Sequence, residues 1–181
     1  MALDRLLPVE RTLAIDSGHF MGYPAMYLRV PDSRAFVFTQ AFQAVGLGLA
    51  SAIGTAVASP DRLTVAALGD GGAMLSLSDF ETVARLGLRM LIVIYNDSAY
   101  GAEVHHFGPH GHPLDIVRFP EVDFAALAQA VGLRGATIRT VADLQAVTDW
   151  QASGAQPALV LDAKVVPTVV AEWLEEAFRG H

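Results

Sequence analysis

The chain has 181 residues, the length of one domain that can bury a core, and its 52% hydrophobic content suggests buried strands and a large partner interface. The net charge of −7 gives no reason to expect nucleic-acid binding, and the absence of cysteine excludes disulfides and thiolate metal sites. No apolar run reaches the roughly 18 residues of a membrane span and no signal-peptide layout is present, so we expect no membrane association and a cytoplasmic location.

Short apolar runs in chain order predict buried strands, and the segments between them predict helices. The predicted strands cover residues 12–16, 35–38, 63–68, 90–95, 136–139 and 157–162. The predicted helices cover residues 3–7, 40–54, 76–86, 124–131 (capped by Asp123), 141–150 and 168–179. We expect residues 21–30 to be irregular because prolines interrupt them, and residues 99–113 to form a loop. This alternation predicts an α/β fold, a doubly wound and mostly parallel sheet of about six strands with helices on both faces.

Two acidic residues follow neighbouring predicted strands. Asp70 lies among glycines in Gly69-Asp70-Gly71-Gly72, and Asp97 ends the run Tyr95-Asn96-Asp97. Ligands of open α/β sheets bind at this edge, glycines let an anion approach the backbone, and the predicted helix 76–86 adds a helix N-terminus. Carboxylate and phosphate oxygens together suit Mg²⁺, which predicts a metal-bridged phosphate site. The alternative is that Asp70 only caps the following helix.

These two segments resemble the thiamine diphosphate motif, in which Gly-Asp-Gly is followed by Asn-Asn after a spacer of the length seen here, 25 residues between Gly71 and Asp97. The chain is similar to the C-terminal diphosphate-binding domain of the acetolactate synthase, benzoylformate decarboxylase and pyruvate decarboxylase group. The resemblance implies thiamine diphosphate and Mg²⁺ as cofactors, with Asp70, Asp97 and the carbonyl of Ala99 as metal ligands. Two residues depart from the pattern. Asp97 replaces an Asn, which keeps the oxygen donor and adds negative charge, and Gly72 replaces a Ser that often contacts the diphosphate.

The resemblance also implies contacts from earlier segments. His19 takes the place of a Gln whose turn reaches the diphosphate, and its alternative role is that of an ordinary loop histidine. Val45 takes the place of the residue that holds the cofactor bent, and its alternative role is that of a core residue at a helix start. The carbonyl of Gln43 takes the place of the acceptor for the aminopyrimidine. The predicted cofactor-binding residues are His19, Gln43, Val45, Gly69, Asp70, Gly71, Gly72, Asp97, Ala99, Tyr100 and Gly101.

Other motifs carry weaker hypotheses. Ser78 and Glu81 have the spacing of a capping box, which we favour over a role for Glu81 as a catalytic acid. The histidines of the loop 99–113 could bind a metal ion through their imidazole rings. The alternative is that the loop shapes the substrate entrance and that His105 and His106 assist proton transfer. The glycines near residue 46 lack the spacing of a dinucleotide fingerprint, and no P-loop pattern is present.

The resemblance implies a 2-oxo acid decarboxylase or carboligase, an acetolactate synthase-like transferase or lyase that acts on a small 2-oxo acid. In that family the activating Glu belongs to a pyrimidine-binding domain, for which residues 1–181 contain no candidate, so we assign no catalytic residue. We therefore expect one diphosphate-binding domain that is a fragment or subunit of a larger homo-oligomeric enzyme and has little activity alone. The alternatives are a non-catalytic assembly subunit and an unrelated Mg²⁺-dependent phosphohydrolase.

Overall fold

A computed structural model of the chain describes residues 1–39 and 44–177. Six strands form one sheet in the order β2-β1-β3-β4-β6-β5, and every neighbouring pair is parallel. The strands are β1 (Arg11–Ile15), β2 (Phe36–Phe38), β3 (Leu63–Gly69), β4 (Met90–Asn96), β5 (Arg134–Ile138) and β6 (Leu159–Lys164). The predicted α/β fold with a parallel sheet of about six strands is thus confirmed.

Helices connect the strands and pack on both faces of the sheet. The α-helices are α1 (Ala2–Leu6), α2 (Gly22–Tyr27), α3 (Gly48–Ala58), α4 (Asp70–Leu75), α5 (Asp79–Arg85), α6 (Gly101–Phe107), α7 (Phe124–Ala130), α8 (Gln145–Ala152) and α9 (Glu172–Ala177). Short 3₁₀ turns cover Ser33–Ala35, Gly108–His110 and Val141–Leu144. Within the described ranges, no helix is both long enough and apolar enough to cross a bilayer.

The central strands are buried on both sides, which explains their continuous apolar sequence. Alternate residues of β4 belong to different cores: Ile92 shares one buried cluster with Phe80 and Phe124, whereas Leu91 shares the other with Trp150. The first cluster lies under α3, α5 and α7, and the second lies under α1 and α8. The sheet is therefore the middle layer of three.

The strand order creates a crevice at the carboxyl edge. The chain passes from β1 to β2 on one side and from β3 to β4 on the other, so the order reverses between β1 and β3. Ligands of doubly wound sheets bind at such a switch point. Gly69 pairs with Tyr95 in the parallel register, so Asp70 and Asp97 leave neighbouring strands at nearly the same height.

The segment after β3 differs from the prediction. The predicted helix 76–86 is observed as α5, and an additional helix that was not predicted, α4, precedes it from Asp70, so the glycine-rich segment is itself helical. The predicted capping box is wrong. Ser78 makes no side-chain capping bond, and Glu81 instead accepts from Nε of Arg85 one turn later at 2.9 Å. Ser78 has helical backbone angles of φ −58° and ψ −27°, unlike the extended conformation of a typical capping residue.

The helix predicted over residues 40–54 begins only at Gly48 in the described residues, and its predicted start at 40–43 lies outside them. Gly46 has φ +95°, a left-handed value that a helix cannot contain, so Val45 lies in a turn. The predicted loop 99–113 contains α6.

The segment 21–30, predicted to be irregular, contains α2 with Pro24 in its first turn. The missing N–H of proline costs nothing there, because helical N–H groups of the first turn have no internal partner.

The later part of the chain follows the prediction more closely. Asp123 caps α7 by accepting from the backbone N–H of Ala126 at 2.9 Å, as predicted. The predicted helix 141–150 begins as a 3₁₀ turn that a capping box between Thr140 and Asp143 stabilises, and it continues as α8. Within the described residues the last helix is shorter than predicted and covers Glu172–Ala177.

The packing of α7 on β5 gives a stability prediction. A Cβ atom at Gly135 would overlap the carbonyl oxygen of Ala125, whereas a Cβ atom at Gly54 on α3 would meet no atom within 4 Å. We expect Gly135→Ala to lower the free energy of unfolding by about 1–3 kcal/mol, since α7 must move away from the sheet. Gly54→Ala should raise it by about 0.5–1 kcal/mol through helix propensity. Urea unfolding of both variants tests this, and equal effects would contradict the packing argument.

Candidate functional site

The carboxyl ends of β1, β3, β4 and β6 surround a cavity of about 270 Å³. It brings together all the predicted cofactor-binding residues except Gln43, which lies outside the described residues. The predicted residues in its wall are His19, Val45, Gly69, Asp70, Gly71, Gly72, Asp97, Ala99, Tyr100 and Gly101. The wall also contains residues that were not predicted, which are Ser17, Gly18, Phe20, Tyr23, Tyr95, Ala102, Glu103, Val165, Val166 and Val169.

Asp70 joins the ends of two strands. Its side chain is buried, its Oδ1 accepts from the N–H of Gly71 at 2.8 Å, and its Oδ2 accepts from the N–H of Ser98 at 2.6 Å. Ser98 takes a left-handed conformation with φ 58°, which turns the chain after β4 back toward Asp70. Gly69 is the cap residue of α4 and Asp70 is its first residue. The Asp70 carboxylate therefore links two strand ends, in addition to its local bond in the first turn.

The pocket concentrates negative charge. Burial, together with the nearby charge of Asp97, raises the pKa of Asp70 to about 6. Burial also raises the pKa of Asp97, against the opposing effects of backbone hydrogen bonds and of His105. Among the described residues that line the cavity there is no lysine or arginine. Two partly desolvated carboxylates without a cationic side chain fit a divalent cation, for which carboxylate oxygens are suitable donors.

Two glycines bring the pocket wall close to these groups. A Cβ atom at Gly101 would lie 2.6 Å from Oδ2 of Asp97, and one at Gly71 would overlap the ring of Tyr100. The Tyr100 ring is held in place by an edge contact with Phe119, at a centroid distance of 5.5 Å. Both positions therefore need glycine for this packing.

His19 is a neutral imidazole at the rim of the pocket. Its Nε2 accepts from the N–H of Ala171 at 2.9 Å, which assigns the ring proton to Nδ1. Burial, with a further contribution from His105 at a ring distance of 4.5 Å, lowers the pKa of His19 to about 4. The remaining N–H is the kind of donor that a phosphate oxygen accepts.

The other histidines of this region do not form a metal site. His110 contacts His106 through a ring nitrogen 2.9 Å from the His106 carbonyl oxygen. In the part of the chain that the structure describes, no three His, Cys, Asp or Glu side chains are grouped to hold a metal ion. The imidazole metal alternative is therefore not supported. This finding does not test the predicted site of Asp70 and Asp97, because the third predicted ligand of that site is a backbone carbonyl and not a side chain.

Asn96 has a structural role beside the site. It is buried, and its side-chain nitrogen donates to Oδ1 of Asp162 at 2.9 Å and to the carbonyl of Val122 at 3.1 Å. Its Oδ1 accepts from the N–H of Ser98 at 3.2 Å. Asn96 thus stabilises the turn that carries Asp97 and does not line the cavity.

Sequence reasoning missed two contributors. Asp16 directly follows β1, is fully buried and accepts from the N–H of Gly46 at 2.9 Å, and the valines after β6 form one wall of the cavity. Both segments lie at the carboxyl ends of predicted strands. The edge rule that selected Asp70 and Asp97 would have selected them as well.

Comparison with known proteins agrees with this geometry. Residues 16–161 match the family model described as thiamine pyrophosphate enzyme, C-terminal TPP binding domain. The chain is 30% identical over 144 residues to the catabolic acetolactate synthase of Raoultella terrigena, a match that covers 80% of this chain and 26% of that protein. It is 34% identical over 105 residues to an alpha-keto-acid decarboxylase of Mycobacterium tuberculosis (strain ATCC 25618 / H37Rv), which covers 58% of this chain and 18% of the relative.

The fold is also that of a solved enzyme. The thiamine diphosphate-dependent 4-hydroxybenzoylformate decarboxylase of Rhodococcus jostii RHA1 superposes with a TM-score of 0.76 at 24% identity, over 91% of this chain and 31% of that one. The chain thus spans less than a third of the length of each of these proteins. With a family match over residues 16–161 and the site in the expected crevice, the chain belongs to the thiamine pyrophosphate enzymes, as a C-terminal TPP-binding domain.

Proposed function

We propose that this domain binds the diphosphate of thiamine diphosphate through Mg²⁺, as part of a 2-oxo acid decarboxylase or carboligase of the acetolactate synthase type. The observation that carries the proposal is the pairing of the buried Asp70 with the half-buried Asp97 in a pocket whose described wall contains no lysine or arginine. Such a pocket repels a diphosphate unless a divalent cation lies between the two.

The proposed metal ligands are the side chains of Asp70 and Asp97 and the carbonyl of Ala99, and Asp97 supplies an oxygen as the Asn of the family does. When bound, thiamine diphosphate supplies the electron sink for loss of CO₂ from a 2-oxo acid. The backbone of Gly69 to Gly72 allows close approach of the diphosphate, and the Nδ1–H of His19 is a further donor to it.

We propose that Val45 supports the cofactor from the turn that precedes α3. A Cβ atom at Gly72 would lie 3.4 Å from Cγ1 of Val45, so the valine side chain is close to the glycine segment. Val45 is 38% exposed and lines the cavity, which is unlike a core residue. Its small side chain leaves more room under the cofactor than the usual methionine, leucine or isoleucine.

The pocket has an apolar rim that favours a partner domain. Val45 and Leu47 are each 38% exposed, and Met74 and Leu75 of α4 are 43% and 62% exposed. A Cβ atom at Gly46 would lie 2.9 Å from Cβ of Leu75, so the two segments meet. Exposed apolar clusters beside a site commonly mark an interface. We propose that a pyrimidine-binding domain of the same homo-oligomeric enzyme covers this rim and supplies the activating Glu.

The alternatives have less support. A non-catalytic assembly subunit would have no need for two partly desolvated carboxylates in one pocket, since unpaired charge removed from water is destabilising. Glu81 is not a candidate for the activating Glu, because it lies on the exposed side of α5 and pairs with Arg85.

The metal proposal predicts different effects at the two carboxylates. In the natural assembly, Asp70→Ala should weaken Mg²⁺-dependent binding of thiamine diphosphate about 100-fold or more, because a buried ligand is lost. Asp97→Asn should retain binding, since the oxygen donor remains. Calorimetric titration with and without Mg²⁺ measures both. Asp123→Asn, a cap on the exposed start of α7, is the control with unchanged affinity. Mg²⁺-independent binding, or none by the unaltered protein, contradicts the proposal.

The state of His19 predicts a pH effect on stability without cofactor. Because its folded pKa of about 4 lies below the ordinary 6.5, protonation favours the unfolded chain. The contribution of neutral His19 to the free energy of unfolding is therefore complete above pH 6.5 and is lost as the pH falls toward 4. His19→Gln keeps an acceptor for Ala171 but does not titrate. From pH 7 to pH 4 the unaltered protein should lose about 1–2 kcal/mol of unfolding free energy relative to this variant.

Urea unfolding across this pH range measures the difference for His19. The control is Gly54→Ala on α3, which changes no titratable group and should therefore give a pH profile parallel to that of the unaltered protein. Parallel profiles for His19→Gln as well would show that the imidazole is not held neutral by burial.

The histidines of α6 should differ in their effect on turnover. The ring of His105 lies 4.5 Å from that of His19, whereas His106 contacts Phe107 and His110. If His105 assists proton transfer, His105→Ala should lower kcat about 100-fold at saturating cofactor without changing cofactor affinity. His106→Ala is the matched control with little effect. Pyruvate turnover by the natural assembly measures both, and equal losses would remove the hypothesis.

A further inference from the structure

Asp16 is a buried carboxylate outside the pocket. It directly follows β1, its N–H donates to the carbonyl of Ala67 at 2.9 Å, and its side chain is fully buried. It does not line the cavity. A charged group in such a position is stable only where hydrogen bonds satisfy it, so its partners show what it holds.

The partners are backbone N–H groups from two segments. Oδ1 of Asp16 accepts from Ser17 at 2.8 Å, and Oδ2 accepts from Gly46 at 2.9 Å. Burial raises the pKa of Asp16, and hydrogen bonds from the backbones of Ser17, Gly46, Gly48 and Leu47 oppose this. The carboxylate thus stabilises the turn of residues 44–48 through hydrogen bonds, and Val45 in this turn lines the cavity.

Glycines also allow Asp16 to lie close to both α3 and α4. A Cβ atom at Gly48 would lie 2.5 Å from Cβ of Asp16, and a Cβ atom at Gly72 would overlap Oδ2 of Asp16. Gly72 of α4 and Val45 of the 44–48 turn both line the cavity. Asp16 therefore lies outside the cavity, in contact with two parts of its wall, the glycine segment of α4 and the turn of residues 44–48.

We propose that Asp16 is a positioning residue that fixes the turn carrying Val45 against the glycine segment of α4, and so sets the width of the cofactor pocket. The proposal rests on the proposed function for its effect on thiamine diphosphate. A Cβ atom at position 72 would overlap Oδ2 of Asp16, so a serine there requires the Asp16 carboxylate to shift, and the two positions are coupled.

The first test needs no cofactor. We expect the amide hydrogens of Gly46, Leu47 and Gly48 to exchange at least about tenfold faster in Asp16→Ala than in the unaltered protein, since bonds to a carboxylate are lost. Asp16→Asn, which keeps the shape, should show the same change if Asp16→Ala does not fold. The control is Thr12→Val, which removes a buried hydroxyl from the same strand, 3.0 Å from that of Thr64. Unchanged exchange in both Asp16 variants overturns the proposal.

The second test measures cofactor affinity in the natural assembly by titration with thiamine diphosphate and Mg²⁺. Asp16→Asn should weaken affinity about tenfold, and Thr12→Val should leave it unchanged although it lowers stability. Asp16→Ser and Gly72→Ser should each weaken affinity as well, and the double variant that combines these two substitutions should lose at least about fivefold less than the two single losses combined.

The outcomes of the two tests separate the claims. Faster exchange with unchanged affinity, or strictly additive losses in the double variant, overturns the positioning role. If the unaltered protein does not bind thiamine diphosphate, the proposed function fails, while the exchange result still decides whether Asp16 holds the turn.

Discussion

The site depends on the parallel register of β3 and β4. Gly69 lies opposite Tyr95, so Asp70 and Asp97 emerge side by side, and the Ser98 N–H bond to Asp70 at 2.6 Å fixes their relation. The same register places alternate residues of both strands in two different cores. A slip of one residue would exchange these faces, and it would also separate the carboxylates. Core packing and site assembly are therefore one constraint, which explains how a buried strand pair can specify the proposed metal site.

Asp162 differs from Asp70 and Asp97 because a cationic side chain lies beside Asp162, which is typical of an acid with a structural role. Asp162 in β6 is fully buried, but it accepts from Nζ of Lys164 at 2.9 Å and from the side chain of Asn96. Asp70 and Asp97 lie at the adjacent strand ends, and no described side chain of the cavity wall supplies such a cation. Two partly desolvated carboxylates without a counter-charge cost stability, and the proposed metal ion would supply the missing charge.

The sequence predicts those parts of the fold whose signal is local. Runs such as 90–95 give the strands, and acids directly after them give the site, because the strand-end rule needs no distant information. The errors arise where a distant residue decides the conformation. Gly71 and Gly72 suggest a turn, yet they are helical, with Tyr100 and Asp16 occupying the space that Cβ atoms would fill. No local pattern could show those contacts, which join segments far apart in the chain.

The departures from the family pattern follow from one arrangement. Gly72 lacks the hydroxyl that often contacts the diphosphate, and Asp97 adds a negative charge beside Asp70, so both changes weaken direct attraction of an anion by side chains. What remains to hold a diphosphate is a metal ion, backbone N–H groups and the neutral His19. Because Oδ2 of Asp16 lies where a Cβ atom of residue 72 would be, a serine there requires the Asp16 carboxylate to shift. We infer that the domain relies on the metal and on a preorganised backbone more than relatives with the serine do.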